Sequence, residues 1–583
     1  MGPVPSKWRG ICQRGTKDIV RCNRSILFST SHYVGHGTFT LSIAGGNFVP
    51  GVTAFGNGNG TAKGGSPKAH VASYKVCWPP VDDDECFDAD LMAAFEAAIS
   101  DGVDVLSVSL GDDYGREFFK DGVAIGAFHA VKNGIVVVAG AGNSGPRPGT
   151  VTNVAPWIIT VGASTIDREF TSYVALGNRK HLKGVSLSST SLPSQKFYPL
   201  ISGSDARTAK VSSLDALLCR PGSLDPKKVN GKILVCLSGE TTPIEKGQQA
   251  LLVGAVGIIL ANNRESGNEI VVQPHFLPAS HVNYSDGKLV FDYLNSTKYA
   301  YLTRAKTEVE VKPAPFVAWF SSRGPNLVEP AILKPDITAP GVDIIAAFSE
   351  AISPTDENFD KRRVAFNAES GTSVSCPHVS GIVGLLKTLH PDWSPAAIQS
   401  AIMTSARTRD DNKEPMLDSS MERATSFAYG SGHMRPNRAM DPGLVYDLTI
   451  DDYFNFLCAH GYNEIVLKLF SNKPNKCPKS FTLANFNYPS VVVANLSSEP
   501  VIVTRRVKNV GSPSTYRASV RAPLGVSIYV KPTSLQFSRI GEEKKFEIVL
   551  KAKVAGKPED YVFGQLKWSD GKHYVRSPIV VKY

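Results

Sequence analysis

VDVLSVSLG (103–111), DGVAIGAFHAVKNG (121–134) and GIVVVAGAGN (134–143) decide the fold. The first and third are short aliphatic runs of strand length. The segment between them has helical spacing, opens at Asp121 and stops at Gly134. A strand, a helix and a second strand in that order make a parallel βαβ unit. Helices cover both faces of such a sheet, so its strands carry few polar residues. Working outward, DADLMAAFEAAISDG (88–102) reads as a helix with an acidic start and a glycine stop, HVASYKVC (70–77) as a strand, and WIITVGAS (157–164) as another strand. Ligands of such sheets bind at the carboxyl ends of the strands.

The texture changes between Tyr198 and Lys312. GKILVC (231–236) and AVGIILANN (255–263) flank the helical pattern EKGQQALLVG (245–254), which reads as a separate α/β module inserted into the first. The earlier grammar then returns. SPAAIQSAIMTSA (394–406) is a helix with Ser394 as N-cap and Pro395 at its first position. After Thr482 only short strands follow, including VIVTRRV, TYRASV, VSIYV and YVFGQLKW, with a hairpin turn at Asp570-Gly571. That pattern predicts a β-sandwich of the fibronectin-III type. The expected division is 1–190 and 313–480 for the two parts of the main domain, 191–312 for the insert and 481–583 for the sandwich.

At 583 residues, 42% of them hydrophobic and 20% charged, the chain builds several cores and is not disordered. Its net charge of +10 comes from scattered residues with no Lys/Arg block, which argues against a nucleic-acid partner. The longest apolar run, Leu251 to Ala261, falls short of the ~18 residues that a membrane span requires. MGPVPSKWRG at the start lacks the apolar core of a signal peptide. Nine cysteines allow the local pairs Cys12–Cys22, Cys77–Cys86, Cys219–Cys236 and Cys458–Cys477, leaving Cys376 over. With five glycosylation triplets, at Asn23, Asn59, Asn283, Asn295 and Asn495, they point to an oxidising, secretory compartment.

Three segments carry chemistry: GHGT (35–38), AGAGNSGP (139–146) and GTSVSCPHVSGIVGLLK (371–387). A serine hydroxyl becomes a nucleophile only with a base in hydrogen-bond reach, and imidazole suits neutral pH. The oxyanion it creates needs fixed donors, which a side-chain amide and the nucleophile's own N–H supply. Ser373, at a helix start, also gains from the helix dipole. Each feature alone has a plainer reading. A histidine between glycines is a turn residue, Asn-Ser-Gly is a turn, and a serine at a helix start is an N-cap. His378 reads as a packed helix residue and Cys376 as a small buried hydrophobe.

GHGTFT (35–40), GNSGP (142–146), FSSRGPN (320–326), KPDITAPG (334–341) and GTSVSCPHVSG (371–381), in that order, resemble the blocks of the plant subtilisin-like serine proteases. The resemblance implies a subtilisin-like α/β fold, a parallel sheet with helices on both faces. It also implies that the insert is the family's protease-associated domain and that the tail is its fibronectin-III-like domain. By the same resemblance His36 is the general base, Ser373 the nucleophile and Asn143 the oxyanion donor. The substrate peptide then lies as an added strand against Ser109, Leu110 and Gly111 on one side and Ala141 and Gly142 on the other. The implied setting is extracellular or cell wall, with a protein or peptide substrate and a homodimer surface on the insert.

The family order also requires an aspartate before the histidine. Asp18 in GTKDIVRC is the only acidic residue ahead of His36, and it neither ends an aliphatic strand nor precedes Thr-Gly or Ser-Gly. The triad aspartate is therefore expected upstream of Met1, and residues 1–583 alone are expected to be inactive and to fold poorly. The segment from CNRSIL (22–27) to GHGT is short for the family, and Phe39 replaces its second histidine. The competing reading is a pseudoprotease that binds peptides or proteins without cleaving them. The sequence has no G-x-S-x-G elbow, H-E-x-x-H pair, Walker A loop or clustered metal-ligand spacing, so neither a catalytic cofactor nor a metal is expected.

Overall fold

The computed structural model describes residues 9, 35–78, 86–296, 298–471, 477–478, 480–553 and 560–583. Its central sheet holds β1 (Val105–Val108), β2 (Val136–Gly140), β3 (Ile158–Ser164) and β4 (Ile337–Pro340), side by side in that order and all parallel. Alternate side chains leave opposite faces. Val136 and Val138 join Ile159, Val161 and Ile337 on one face, while Val137, Ala139 and Ile158 join a second core on the other.

Helix α2 (Asp88–Asp101) and α3 (Gly122–Lys132) pack on the second face, where Leu91, Phe95 and Phe128 are buried. The sequence cues for both hold. The Asp121 carboxylate accepts hydrogen bonds from Val123 N and Ala124 N at 2.9 and 3.0 Å, and Gly102 closes α2 at φ 76°. On the first face lie α4 (Thr372–Leu389) and α5 (Pro395–Thr404), with Ser394 Oγ capping α5 through Ala397 N. Val379, Val383 and Leu386 of α4 are buried against the sheet, each contributing about 1.5–3 kcal/mol. Helix α1 (His36–Gly45) crosses α4 so closely that a Cβ on Gly381 would lie 2.8 Å from Gly65 Cα and from Ala44 O. Only glycine fits there.

One predicted strand is not found. Residues 70–77 form a single bridge position at Val71 and then run without strand geometry. A cavity of about 1130 Å³ separates this stretch from β1.

The insert is an eight-stranded sheet reaching from Glu169 to Glu308. Its parallel centre is 198–202, 233–237, 257–261 and 279–282, of which the aliphatic runs 231–236 and 255–263 predict the middle two. The predicted helix there is Pro243–Leu252, fixed by a capping box between Thr242 and Glu245. The boundary expected at 191 is too late. The hairpin 169–185 pairs with Val282 and with 300–302, so it belongs to the insert's sheet. The carboxyl-terminal unit is a two-layer sandwich of a four-stranded and a five-stranded sheet around Trp568, Phe546 and Tyr516. Its four-stranded sheet includes Leu444–Val445, so it too draws on chain ahead of the expected boundary at 481. The unit is bolted to the central sheet by a buried network. Tyr488 OH bonds the Asp336 carboxylate and accepts from Gln399 Nε2 at 2.9 Å, while Lys334 Nζ meets Asp336 at 2.6 Å.

Candidate active site

Helix α4 begins at Thr372 after Gly371, so the half-buried Ser373 occupies its first turn. Pro377 lies inside the helix and has no N–H for the carbonyl four residues back. That carbonyl belongs to Ser373, and Ser109 Oγ donates to it at 2.8 Å. The end of β1 is thereby fastened to the start of α4.

Asn143 sits just beyond the carboxyl end of β2, as expected for a ligand-facing residue. Its Oδ1 accepts two hydrogen bonds from Thr372, one from the backbone N–H at 2.9 Å and one from Oγ1–H at 3.0 Å. These fix the amide so that Nδ2 faces outward. A Cβ placed on Gly371 would lie 2.9 Å from Ser373 Oγ and 3.8 Å from Asn143 Nδ2. The hydroxyl and the amide donor therefore converge on one small volume from helix and strand ends 230 residues apart in sequence.

His36 opens α1 directly after Gly35, whose φ of 76° turns the chain into the helix. α1 packs on α4, and His36 lines the cavity beside β1 together with Ser109 and Leu110. Burial lowers the imidazole pKa from its ordinary 6.5, which favours the neutral, proton-accepting form. Among the described residues no hydrogen bond joins His36 to Ser373 or to a carboxylate. Asp18 and the Cys12–Cys22 pair lie outside the described residues, as does Asn23.

The expected substrate-facing residues divide into two kinds. Gly111 is exposed, and Ser109 and Leu110 are half-buried along the cavity edge. Ala141 and Gly142 have their backbone groups engaged internally. Ala141 N donates to Val161 O and its carbonyl accepts from Thr152 N, while Gly142 N donates to Thr372 Oγ1 and its carbonyl accepts from Ser322 N.

Other residues shape the site without a sequence signal of their own. Asn153 Nδ2 donates to Leu110 O and to Gly140 O, both at 2.8 Å, and so ties the ends of β1 and β2 together. Ser322 Oγ accepts from Ser144 N at 3.0 Å. Thr372 has no signal beyond its place in GTSVSCPHVSG. His378 Nδ1–H donates to Val374 O, 3.0 Å away within its own helix, and burial drops its pKa to about 4. Cys376 is fully buried against Val138 O, and burial pushes its thiol pKa up. Both are packing residues.

Cys77–Cys86, Cys219–Cys236 and Cys458–Cys477 are disulfide-bonded as the spacing suggested. No helix among the described residues is long and apolar enough to cross a membrane. No group of three or more His, Cys, Asp or Glu among them is arranged to hold a metal ion.

The fibronectin type-III domain family matches residues 485–581. Subtilisin-like protease SBT5.4 of Arabidopsis thaliana is 56% identical over 605 residues, covering 100% of this chain and 77% of that protein. Subtilisin-like protease SBT5.3 of the same plant is 54% identical, covering 100% and 78%. Subtilisin-like protease Glyma18g48580 of Glycine max is 47% identical, covering 100% and 79%. The subtilase family itself matches residues 29–432, and with the fold and the Ser373–Asn143 geometry already described, the chain belongs to the subtilase family of serine proteases.

Proposed function

We propose that this chain is the body of a secreted endopeptidase in which Ser373 attacks the scissile carbonyl. His36 takes the hydroxyl proton and returns it to the leaving amine. The oxyanion forms in the volume shared by Ser373 Oγ and Asn143 Nδ2, where the Ser373 N–H at the helix start adds a second donor. That convergence is the observation that carries the reading. The peptide lies as an added strand along Ser109, Leu110 and Gly111, which border the cavity, with Ala141 and Gly142 forming the floor. The insert corresponds to a protease-associated domain and offers the surface for a homodimer. The three disulfides support an extracellular or cell-wall setting.

A second reading is a peptide-binding pseudoprotease. It is favoured by Phe39, which stands where the family carries its second histidine. In the active enzymes a carboxylate fixes the imidazole tautomer and stabilises the imidazolium. In subtilisin its loss costs about 3 × 10⁴-fold in kcat. Labelling of purified protein by a fluorophosphonate separates the two. Modification at Ser373, absent in Ser373→Ala and in His36→Ala, supports the endopeptidase. An unmodified Ser373 in a protein that still binds peptides supports the second reading.

A further inference from the structure

The insert sends one irregular stretch, Glu269 to His275, back onto the catalytic unit. Three polar ties anchor it there. The Glu269 carboxylate accepts from Trp319 N at 2.5 Å, Val272 N donates to Asp343 Oδ1 at 3.3 Å, and Arg362 Nη2 donates to Pro274 O at 2.7 Å. Ile270 and Val272 pack with Ile345 and Ala368 beneath these bonds. Glu269 is 4% exposed and Asp343 6%, so both carboxyl groups have left water for these contacts.

The first two ties end at the two halves of the site. Trp319 begins the run that braces the Asn143 loop. Gly145 N donates to Phe320 O, Ser144 N to Ser322 Oγ, and Ser322 N to Gly142 O, so Asn143 is held on both sides. Asp343 leads to the nucleophile. Its Oδ1 also accepts from Ser370 Oγ at 3.2 Å, and its own N–H donates to Ser370 Oγ at 2.8 Å. Ser370 stands three residues before Ser373, and the next amide, Gly371 N, donates to Gly341 O.

We infer that Glu269 and Asp343 are positioning residues, and that the 269–275 strap sets the spacing between Asn143 and Ser373 by holding the supports of both. This inference rests on the proposed roles of Asn143 and Ser373. A strap from a separate module is a device for alignment: displacement of a catalytic group by about 1 Å costs on the order of 10²-fold in rate.

The chemistry of the two carboxyls adds a pH signature. Burial raises the Asp343 pKa to about 6, against the help of Val272, Ser370 and Arg168, with Glu169 as a like charge nearby and Glu269, which burial raises to about 8, still protonated there. Glu369, beside Ser370, is raised by burial to about 7. An ionised carboxylate is the stronger acceptor, so the Asp343 tie is firmest above about pH 6.

The test uses the full chain. Fluorophosphonate labelling of Ser373 is followed by peptide mass spectrometry across pH 5–9, and amide hydrogen exchange is measured on residues 142–145 and 370–375. Asp343→Ala and Glu269→Ala are expected to slow labelling about tenfold or more. Exchange should rise at 142–145 in Glu269→Ala and at 370–375 in Asp343→Ala. The conservative Asp343→Asn keeps an acceptor and should label at the parental rate at pH 8, while the fall in rate centred near pH 6 becomes shallower. Parental exchange in both alanine variants overturns the strap, as does a parental labelling rate in both. If Ser373 of the parent does not label, the nucleophile assignment fails by itself, and the exchange data still decide the strap. Should the alanine variants not fold, Glu269→Gln and Asp343→Asn carry the test: an Asp343→Asn pH profile identical to the parent's overturns it.

Discussion

Ser109 Oγ donates a hydrogen bond of 2.8 Å to the carbonyl oxygen of Ser373, the acceptor that Pro377 leaves without its helical partner. The proline and the serine are thus two halves of one device. Ser109→Ala strands a carbonyl at the start of α4 and is expected to destabilise the protein by about 1–3 kcal/mol. Pro377→Ala restores an N–H that reaches that carbonyl from within the helix. In the Ser109→Ala background it is expected to recover part of the loss. A double-mutant cycle on thermal unfolding checks this; additive effects within about 0.3–0.5 kcal/mol sink the idea.

The two bonds from Thr372 to Asn143 Oδ1 aim Nδ2 at the reacting volume. Asn143→Ala is expected to lower the turnover of a peptide substrate by about 10²–10³-fold, the loss known for the corresponding donor in subtilisin. Thr372→Val removes one of the two bonds and is expected to have a smaller effect in the same direction. The KM should barely move in either variant, because the donor acts on the transition state.

How far the sequence reaches is clear from this pair of residues. Asn143 and Ser373 stood out only through the GNSGP and GTSVSCPHVSG blocks, because alone they read as a turn residue and an N-cap. The capped helices α2, α3 and α5 were legible because periodicity and cap lie in one short window. The Ser109–Ser373 bond joins residues 264 apart and leaves no local trace. The stretch 70–77 has strand composition, yet among the described residues it shows one bridge position, at Val71. The insert's true start escaped notice because the hairpin 169–185 looks like any two-stranded unit until its partners at 279–302 are known.

Burial lowers the His36 pKa, so the base stays unprotonated below the ordinary midpoint near 6.5. The acid limb of Ser373 labelling is accordingly expected below pH 6.5. A midpoint above 7, measured on the parent, contradicts the burial seen here.

Stability should fall as pH rises from about 6.5 to 8. Burial raises the Glu369 pKa to about 7 and that of Glu269 to about 8. Both exceed the unfolded value near 4.3, so the folded state holds protons that the unfolded state has lost. His460 acts in the same sense: burial opposes its charge, but Glu329 and Glu117 prevail and raise its pKa, so its contribution is present below about 6.5 and lost above. Glu269→Gln should flatten the slope of Tm against pH in this window by roughly one group's share, up to about 1.4 kcal/mol per pH unit.

The glycosylation triplets are not equivalent in the fold. Asn59, Asn295 and Asn495 are exposed. Asn283 caps the helix Tyr284–Tyr293, accepting from Asp286 N at 2.7 Å and donating to the Asp286 carboxylate at 3.1 Å. A glycan on its amide would forfeit that donor. Glycopeptide mapping of protein made in a eukaryotic secretory host is expected to find sugar at the first three and none at Asn283.

The parallel pairing of β3 with β4 joins Val161 to Ile337, and Thr372 meets Asn143 across 229 residues. The whole insert lies between them. At ribosomal speeds of 5–20 residues per second, roughly 10–50 s pass between the making of Asn143 and that of Thr372. Until then the Asn143 side of the site stands without its serine, and no acyl transfer through Ser373 is possible. Order of synthesis acts as a safety catch, and it is released only when the last central strand and the serine-bearing helix have threaded back past the finished module.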